Sequence, residues 1–340
     1  MLEVYATTPE KMSLSEISVH AQRAERMGYD GLHVPDAVHD GLLMANNALL
    51  ATERLKVGTG VLVAFSRSPM NVAIAAWDLS SLSNGRFELG LGTQIKQNIE
   101  ERYSSPWSPP VKRMREYIES LRAIFDAFQN GTQLNYLGEN YRFTRLQPFF
   151  NPGPIPHPNI PMLMGAVGPI MTQLAGELAD GMITHPTNTP PRYVKEVCLP
   201  RLQRGADKAG HNLEAFKLML CTLVATGPDQ QSVQVEREKQ RRMLGFLFST
   251  PAYWPSLALF GWEDRGHCLQ QLTRTGDWSG MAALIDDEIL DQFVPCGTYS
   301  EIVDLIKARY AGLSTRLTLP LPEEREQDSA VAELITALKS

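Results

Sequence analysis

Apolar residues along this chain recur in short runs that alternate with longer stretches of helical spacing, and the alternation repeats eight times. Residues 2–7 are short and β-prone, and a 3.6-residue apolar rhythm follows over 14–27, with Ser13-x-x-Glu16 as its capping box and Gly28 as its stop. A second strand over 31–34 leads into the polar loop Pro35-Asp36-Ala37-Val38-His39-Asp40 and a helix over 42–52. Residues 57–63 form a near-continuous apolar run rich in β-branched side chains, the mark of a strand covered on both faces in a parallel sheet. Ser68-Pro69 opens the next helix, which runs to about 82, and residues 87–91 are the fourth strand.

The rhythm then stretches. A polar loop over 92–110 precedes an amphipathic helix over 111–129, and residues 131–161 carry six prolines and read as an insertion, with a hairpin around 135–143. Strand five over 162–166, a helix over 170–179, strand six over 181–184 and a helix over 192–209 restore the pattern. Residues 217–225 are strand seven, 229–284 are helical with an interruption at 251–262, and 290–294 are expected to be strand eight. Thr298-x-x-Glu301 caps a closing helix over 302–310.

Eight strand–helix units predict an α/β fold of the (β/α)8 barrel type: one domain over 1–340, with insertion segments near 92–110, 131–161 and 229–285. A doubly wound open sheet is the competing topology, but no G-x-G-x-x-G follows the first strand.

With 340 residues, 43% hydrophobic and 21% charged, the chain has the composition of a globular protein. Its formal charge of -6 lacks the basic face of a nucleic-acid binder, so no nucleic-acid partner is expected. The start shows no basic stretch followed by an apolar one, and no apolar run approaches the ~20 residues of a membrane span. A cytoplasmic location without a membrane partner is therefore the expectation. Cys198, Cys221, Cys268 and Cys296 form no C-x-x-C pair, and the histidines show neither H-x-H nor H-E-x-x-H, so no metal site is expected. The charged run 236–242 reads as the solvated face of a helix.

Barrel chemistry sits on the loops that follow the strands. That rule selects Asp36 and His39 after strand two, Gly60-Val61 and then Ser66-Arg67 after strand three, and Gly90-Leu91-Gly92-Thr93-Gln94 after strand four. It also selects Gly165-Ala166-Val167-Gly168-Pro169 after strand five and His185 after strand six. The Gly-rich turn 165–170 lets backbone N–H groups approach an anion at the start of the next helix; an ordinary strand-to-helix turn has the same composition. An imidazole at His39 or His185 serves as a proton donor near neutral pH, or caps a loop. No G-x-S-x-G elbow and no strand-end lysine supports a hydrolase or a Schiff-base enzyme.

Gly85-Arg86-Phe87-Glu88-Leu89-Gly90-Leu91-Gly92-Thr93 resembles the fourth-strand signature of luciferase-like monooxygenases. Pro69 with its helix, Gly176-Glu177-Leu178-Ala179-Asp180-Gly181 and residues 294–301 fall where that family has matching segments, so the resemblance spans essentially the whole chain. Phe65-Ser66-Arg67-Ser68-Pro69 and Phe149-Phe150-Asn151-Pro152-Gly153-Pro154 are similar to segments of its coenzyme F420-dependent oxidoreductases.

The resemblance implies hydride transfer between F420 and an organic substrate, with three sets of cofactor contacts. Gly165, Ala166, Val167, Gly168, Pro169 and Ile170 would hold the cofactor phosphate; Gly60 and Val61 would form a non-prolyl cis peptide against its ring; Gly92, Thr93, Gln94 and Asn98 would stand over it. Asp36 matches an acidic position near ring or substrate, but the histidine that follows it in some relatives is Ala37 here, which leaves His39, His185 and Asp36 as the catalytic candidates. Arg67 meets either an anionic tail or solvent. An FMN enzyme that uses reduced flavin and O2 is the alternative within the same family, and a non-catalytic flavin-binding barrel the alternative outside it. The expected partners are a small organic substrate, a flavin or F420 reductase and a second copy of the chain in a homodimer.

Overall fold

The computed structural model describes residues 2–9 and 11–340. Eight strands, β1 (Glu3–Thr7), β2 (Gly31–Val34), β3 (Lys56–Thr59), β4 (Phe87–Gly92), β5 (Met162–Gly165), β6 (Gly181–Ile183), β7 (Lys217–Leu220) and β8 (Arg316–Thr318), pair in parallel. Pairing of β3 with β4 at Val57–Phe87 and of β1 with β8 at Glu3–Arg316 closes the cylinder, so the (β/α)8 fold read from the apolar rhythm is the fold adopted. No edge strand remains in the ring.

The helices outside it are set by local chemistry. Asp40 caps Gly41–Leu50 by accepting the Leu42 and Leu43 N–H groups, and Ser68 caps Pro69–Leu82 through the Met70 N–H. Glu16 and Glu301 each take the backbone N–H three residues earlier, at Ser13 and Thr298, as the capping-box spacing predicts. Gly131, at φ 65°, ends the long Pro110–Asn130 helix in the left-handed conformation that glycine adopts without cost.

Strand eight is not where the apolar run predicts it. Asp287–Phe293 is a helix capped by Asp286, whose Oδ1 accepts the Ile289 N–H, and the ring is completed by Arg316–Thr318 instead. Ile289, Leu290 and Phe293 are buried because their spacing is helical, not because they lie in a sheet.

The barrel interior has two levels. At the amino-terminal end, buried Glu88 accepts two bonds from Arg316 at 2.8 and 3.0 Å and one from Tyr5, with Lys217 at 3.5 Å. Burial disfavours the Glu88 charge, but Arg316 and Lys217 outweigh it and hold the carboxyl below its usual range. Above this floor Tyr5, Leu163, Ile183 and Met219 pack together, with Val61 and Cys221 on top of them.

Residues 225–298 form an insertion with a core of its own: Leu244, Phe248, Leu257, Leu269, Leu290 and Phe293 pack on one another and not on the barrel core. Its base is stitched by a parallel ladder between Ala225–Gly227 and Cys296–Thr298. The hairpin expected near 135–143 is present as Tyr136–Leu137 against Arg142–Phe143. Among the described residues no helix is long and apolar enough to cross a membrane.

Candidate active site

Strand periodicity aims alternate residues into the cylinder, and on β4 and β5 the inward positions near its carboxyl end, Gly90, Gly92 and Gly165, are glycine. A Cβ on Gly90 would stand 1.9 Å from the Thr59 carbonyl, one on Gly92 would meet Val61 Cγ2 at 2.4 Å, and one on Gly165 would meet Val61 Cγ1 at 3.1 Å. The Gly60–Val61 peptide is cis, and Val61 dips into the space those glycines leave. Glycines on β4 and β5 thus make room for the Val61 side chain, which lies half-buried against this wall.

The turn after β5 ends in the Pro169–Leu178 helix, whose N-cap Gly168 has no side chain to cap it. Pro169 at the first position has no N–H, and the Ile170 and Met171 N–H groups have no protein partner among the described residues. Gly168 faces open space, with nothing within 4 Å of where its Cβ would be. Unfilled N–H groups plus the positive end of a ten-residue helix form a cradle for a phosphate, and so fit that part of the inferred cofactor. Ala166 anchors the turn to the neighbouring strand through Ile183 O.

His185 stands two residues beyond inward-facing Ile183 with extended backbone (φ -88°, ψ 154°), so alternation points it toward the same mouth. Its Nδ1 lies 2.9 Å from Thr187 Oγ1 and takes the Thr187 N–H at 3.4 Å, which assigns the ring proton to Nε2. Buried Asn188 accepts the His185 N–H at 2.7 Å and donates to Ala166 O at 3.0 Å, tying the histidine loop to the anion cradle. Burial pushes the imidazole down to about 4, so it is neutral at physiological pH. The Tyr253 ring lies flat on it, with centroids 4.1 Å apart and planes 10° from parallel.

Asp36 is buried, and every contact it makes is internal. Oδ1 accepts the Gly41 N–H at 3.0 Å, Oδ2 accepts the Val63 N–H at 2.9 Å, and Arg67 binds both oxygens at 2.6 and 3.1 Å. This carboxylate holds the segment beyond Val61 in place. Arg67 also reaches Asp40, so its charge is paired with two carboxylates within the protein. His39 is half-buried on the same loop, with no hydrogen bond to its ring among the described residues.

In the loop after β4, half-buried Thr93 precedes Gln94, which has φ 60° and turns its Oε1 back to the Ile95 N–H at 2.9 Å. Asn98 opens the single turn Asn98–Arg102, and Arg102 donates to the Ala37 carbonyl, bringing this loop beside that of β2. The structure therefore connects Gly60, Val61, Gly92, Gly165, the 166–170 turn and the His185 loop, while no hydrogen bond ties the half-buried His39, Gln94 or Asn98 side chains to them among the described residues. Thr187, Asn188 and Tyr253 escape a reading of the sequence. The first two lie past a strand end that flags only the histidine, and the third arrives from 68 positions away with no motif around it.

An open cleft of about 820 Å3 lies at the opposite end of the cylinder, lined by Arg122, Asp126, Asp180, His211, Phe216 and Lys217. Asp180 there is tied to Arg122 and to the Met162 N–H, and that end of a barrel serves stability.

A closed parallel barrel with an uncapped helix start at its rim and glycines on its inner wall leaves an opening at the carboxyl ends of its strands that can take an anionic group. The chain belongs to the luciferase-like monooxygenase family, whose sequence profile matches residues 3–316. It is 41% identical over 310 residues to an uncharacterised protein of Mycobacterium tuberculosis, covering 91% of each chain. It is 29% identical over 266 residues to the F420-dependent glucose-6-phosphate dehydrogenase of Nakamurella multipartita, covering 75% of this chain and 72% of that one. Among solved structures, the coenzyme F420-dependent tetrahydromethanopterin reductase of Methanopyrus kandleri superposes with a TM-score of 0.81 over 99% of this chain and 98% of that one, at 18% identity. The protein is an oxidoreductase of this family.

Proposed function

We propose that the protein transfers hydride between coenzyme F420 and a small organic substrate, with His185 at the substrate oxygen. One observation carries the reading: the unfilled Ile170 and Met171 N–H groups follow directly on Gly165, which packs against Val61, and Asn188 links that turn to the histidine loop. The names of relatives such as the Nakamurella dehydrogenase support F420 over FMN as the ring system. When bound, the 5-deazaflavin supplies a two-electron hydride donor or acceptor.

The chain's own residues do the rest. The helix start at Pro169 binds the phosphate, and Val61 with Gly92 and Gly165 shapes the floor on which the ring rests. Asp36 fixes the Val63 end of that floor through two backbone bonds and Arg67. His185 presents an Nε2–H that orients a carbonyl or hydroxyl oxygen of the substrate by hydrogen bonding.

The test is mass spectrometry of the chromophore that co-purifies with the protein, followed by titration of the apoprotein with F420 and with FMN. F420 retained, or bound at micromolar concentration in preference to FMN, is the expected result. Retained FMN, with O2-dependent turnover of reduced flavin, would put the protein among the monooxygenases and end the F420 reading. Failure to bind either would leave no redox role.

A further inference from the structure

The 225–298 insertion meets the barrel rim at the loop after β6 through two aromatic contacts. Tyr253 covers His185, and Arg192 lies over the Phe260 ring at 5.5 Å. Neither is a loose surface touch, because the 250–257 segment is fixed from within the insertion. The Tyr253 N–H bonds Thr250 O at 3.0 Å, its carbonyl accepts from Ser256 Oγ at 3.1 Å, and Trp254 Nε1 donates to Phe248 O at 2.7 Å. Phe248 and Leu257 are both fully buried in the insertion core. Tyr253 is therefore mounted on a rigid body that begins 40 residues after the histidine it touches.

Each side of the His185 ring is accounted for differently. Nδ1 is held by Thr187, one face is covered by the phenol ring, and Nε2 has no protein partner among the described residues. The Tyr253 hydroxyl has none either. A polar ring fixed on one edge, shielded on one face and unmatched at its remaining nitrogen is poised for a ligand atom at that nitrogen.

We propose that Tyr253 is a positioning residue for His185: its stacked ring locks the imidazole in one orientation and keeps it a neutral Nε2–H donor, so that the insertion sets the hydrogen-bonding state of the substrate pocket. This rests on the reading of His185 as the group that meets the substrate. The Tyr253 ring keeps water from one face of the imidazolium form and offers no countercharge, and this desolvation, which disfavours protonation, opposes and exceeds the attraction of its π face for a cation. No charged side chain contributes to the lowered affinity of His185 for a proton, and the titratable group that faces it, the Tyr253 phenol, is itself pushed up by burial. A neutral donor of this kind polarises a carbonyl without attracting anionic substrates, as a protonated histidine would.

The experiment is a histidine titration by NMR on the full-length apoprotein from pH 8 to 4, with the His185 resonance assigned from a His185→Asn variant. Wild type and Tyr253→Phe are expected to keep His185 neutral and in the Nε2–H tautomer to about pH 5, since Phe preserves the stack. Tyr253→Ala is expected to raise the midpoint by about one unit or more and to mix the tautomers. Tyr253→Leu, which keeps bulk without a flat ring, guards against local unfolding and is expected to lose the single tautomer while the other histidines titrate unchanged. If His185 in both the Ala and the Leu variants titrates as in wild type, Tyr253 does not position it and the inference falls. That failure is separate from the cofactor's, because the apoprotein titration is the same whether F420 or FMN proves to bind.

Discussion

Gly168 and Gly90 differ by a single consideration, the space beyond the missing side chain. Gly168 has φ -79° and ψ 152°, which any residue adopts, and open space where its Cβ would be. Gly168→Leu is therefore expected to change stability by no more than about 0.5 kcal/mol. The added side chain would extend into the open space beside the helix start, so under the proposed function F420 binding followed by fluorescence is expected to weaken about tenfold. Unchanged affinity would remove the 165–170 turn from the cofactor site. Gly90→Ala is the opposite case: its Cβ would stand 1.9 Å from the Thr59 carbonyl, and a backbone atom cannot yield as a flexible side chain does. The expected loss is about 2–3 kcal/mol in urea denaturation, and an unperturbed midpoint would mean that β3 and β4 are less tightly packed than they stand here.

Among the elements, the first seven strands and nearly all the helices were legible because each carries its own period, cap or stop. Strand β8 was not. Arg316-Leu317-Thr318 begins with a charge, and a charge inside a barrel makes sense only once Glu88, 228 positions earlier, is known to face it. The apolar run at 290–294 looks more like a buried strand, yet its spacing suits the insertion's own core. Within the candidate site, the glycine turn and His185 are selected by their place after strands, and Gly60–Val61 by resemblance to a family. The anchoring role of Asp36 could not be read from either, since a carboxylate in a rim loop reads alike whether it meets a ligand or three backbone and side-chain donors.

The Glu88–Arg316 pair makes a prediction at this scale. Arg316→Met leaves a carboxylate buried without its main counterion and is expected to cost about 3–5 kcal/mol. Arg316→Met combined with Glu88→Gln is expected to recover a large part of that loss, because no uncompensated charge remains. Equal urea midpoints for the single and double variants would show that Lys217 and Tyr5 suffice to hold Glu88.

For the molecule as a whole, buried histidines give stability a definite pH dependence. His33, fully enclosed between Tyr5 and the wall of the barrel, is pushed down by burial from 6.5 to about 4. The unfolded chain takes up a proton near 6.5 that the folded one refuses, so this contribution is complete above pH 6.5 and is lost as pH falls toward 4. Its size is about 3 kcal/mol, and His185, shifted the same way, adds to it. Below that window Glu88 and Glu3, both held below the usual carboxylate range, add a second decline as they protonate. Urea midpoints are expected to be level between pH 8 and 7 and to drop clearly by pH 5. A midpoint at pH 5 equal to that at pH 7 would mean that the barrel interior admits water to both imidazoles.

Closure of the ring through β8 also bears on how the chain is made. β1 leaves the ribosome some 310 residues ahead of the strand that covers its free side. At typical elongation rates that interval lasts tens of seconds. Throughout it β1 offers unpaired N–H and C=O groups to any passing strand, and fragments that end before residue 316 are expected to aggregate more readily than the whole chain.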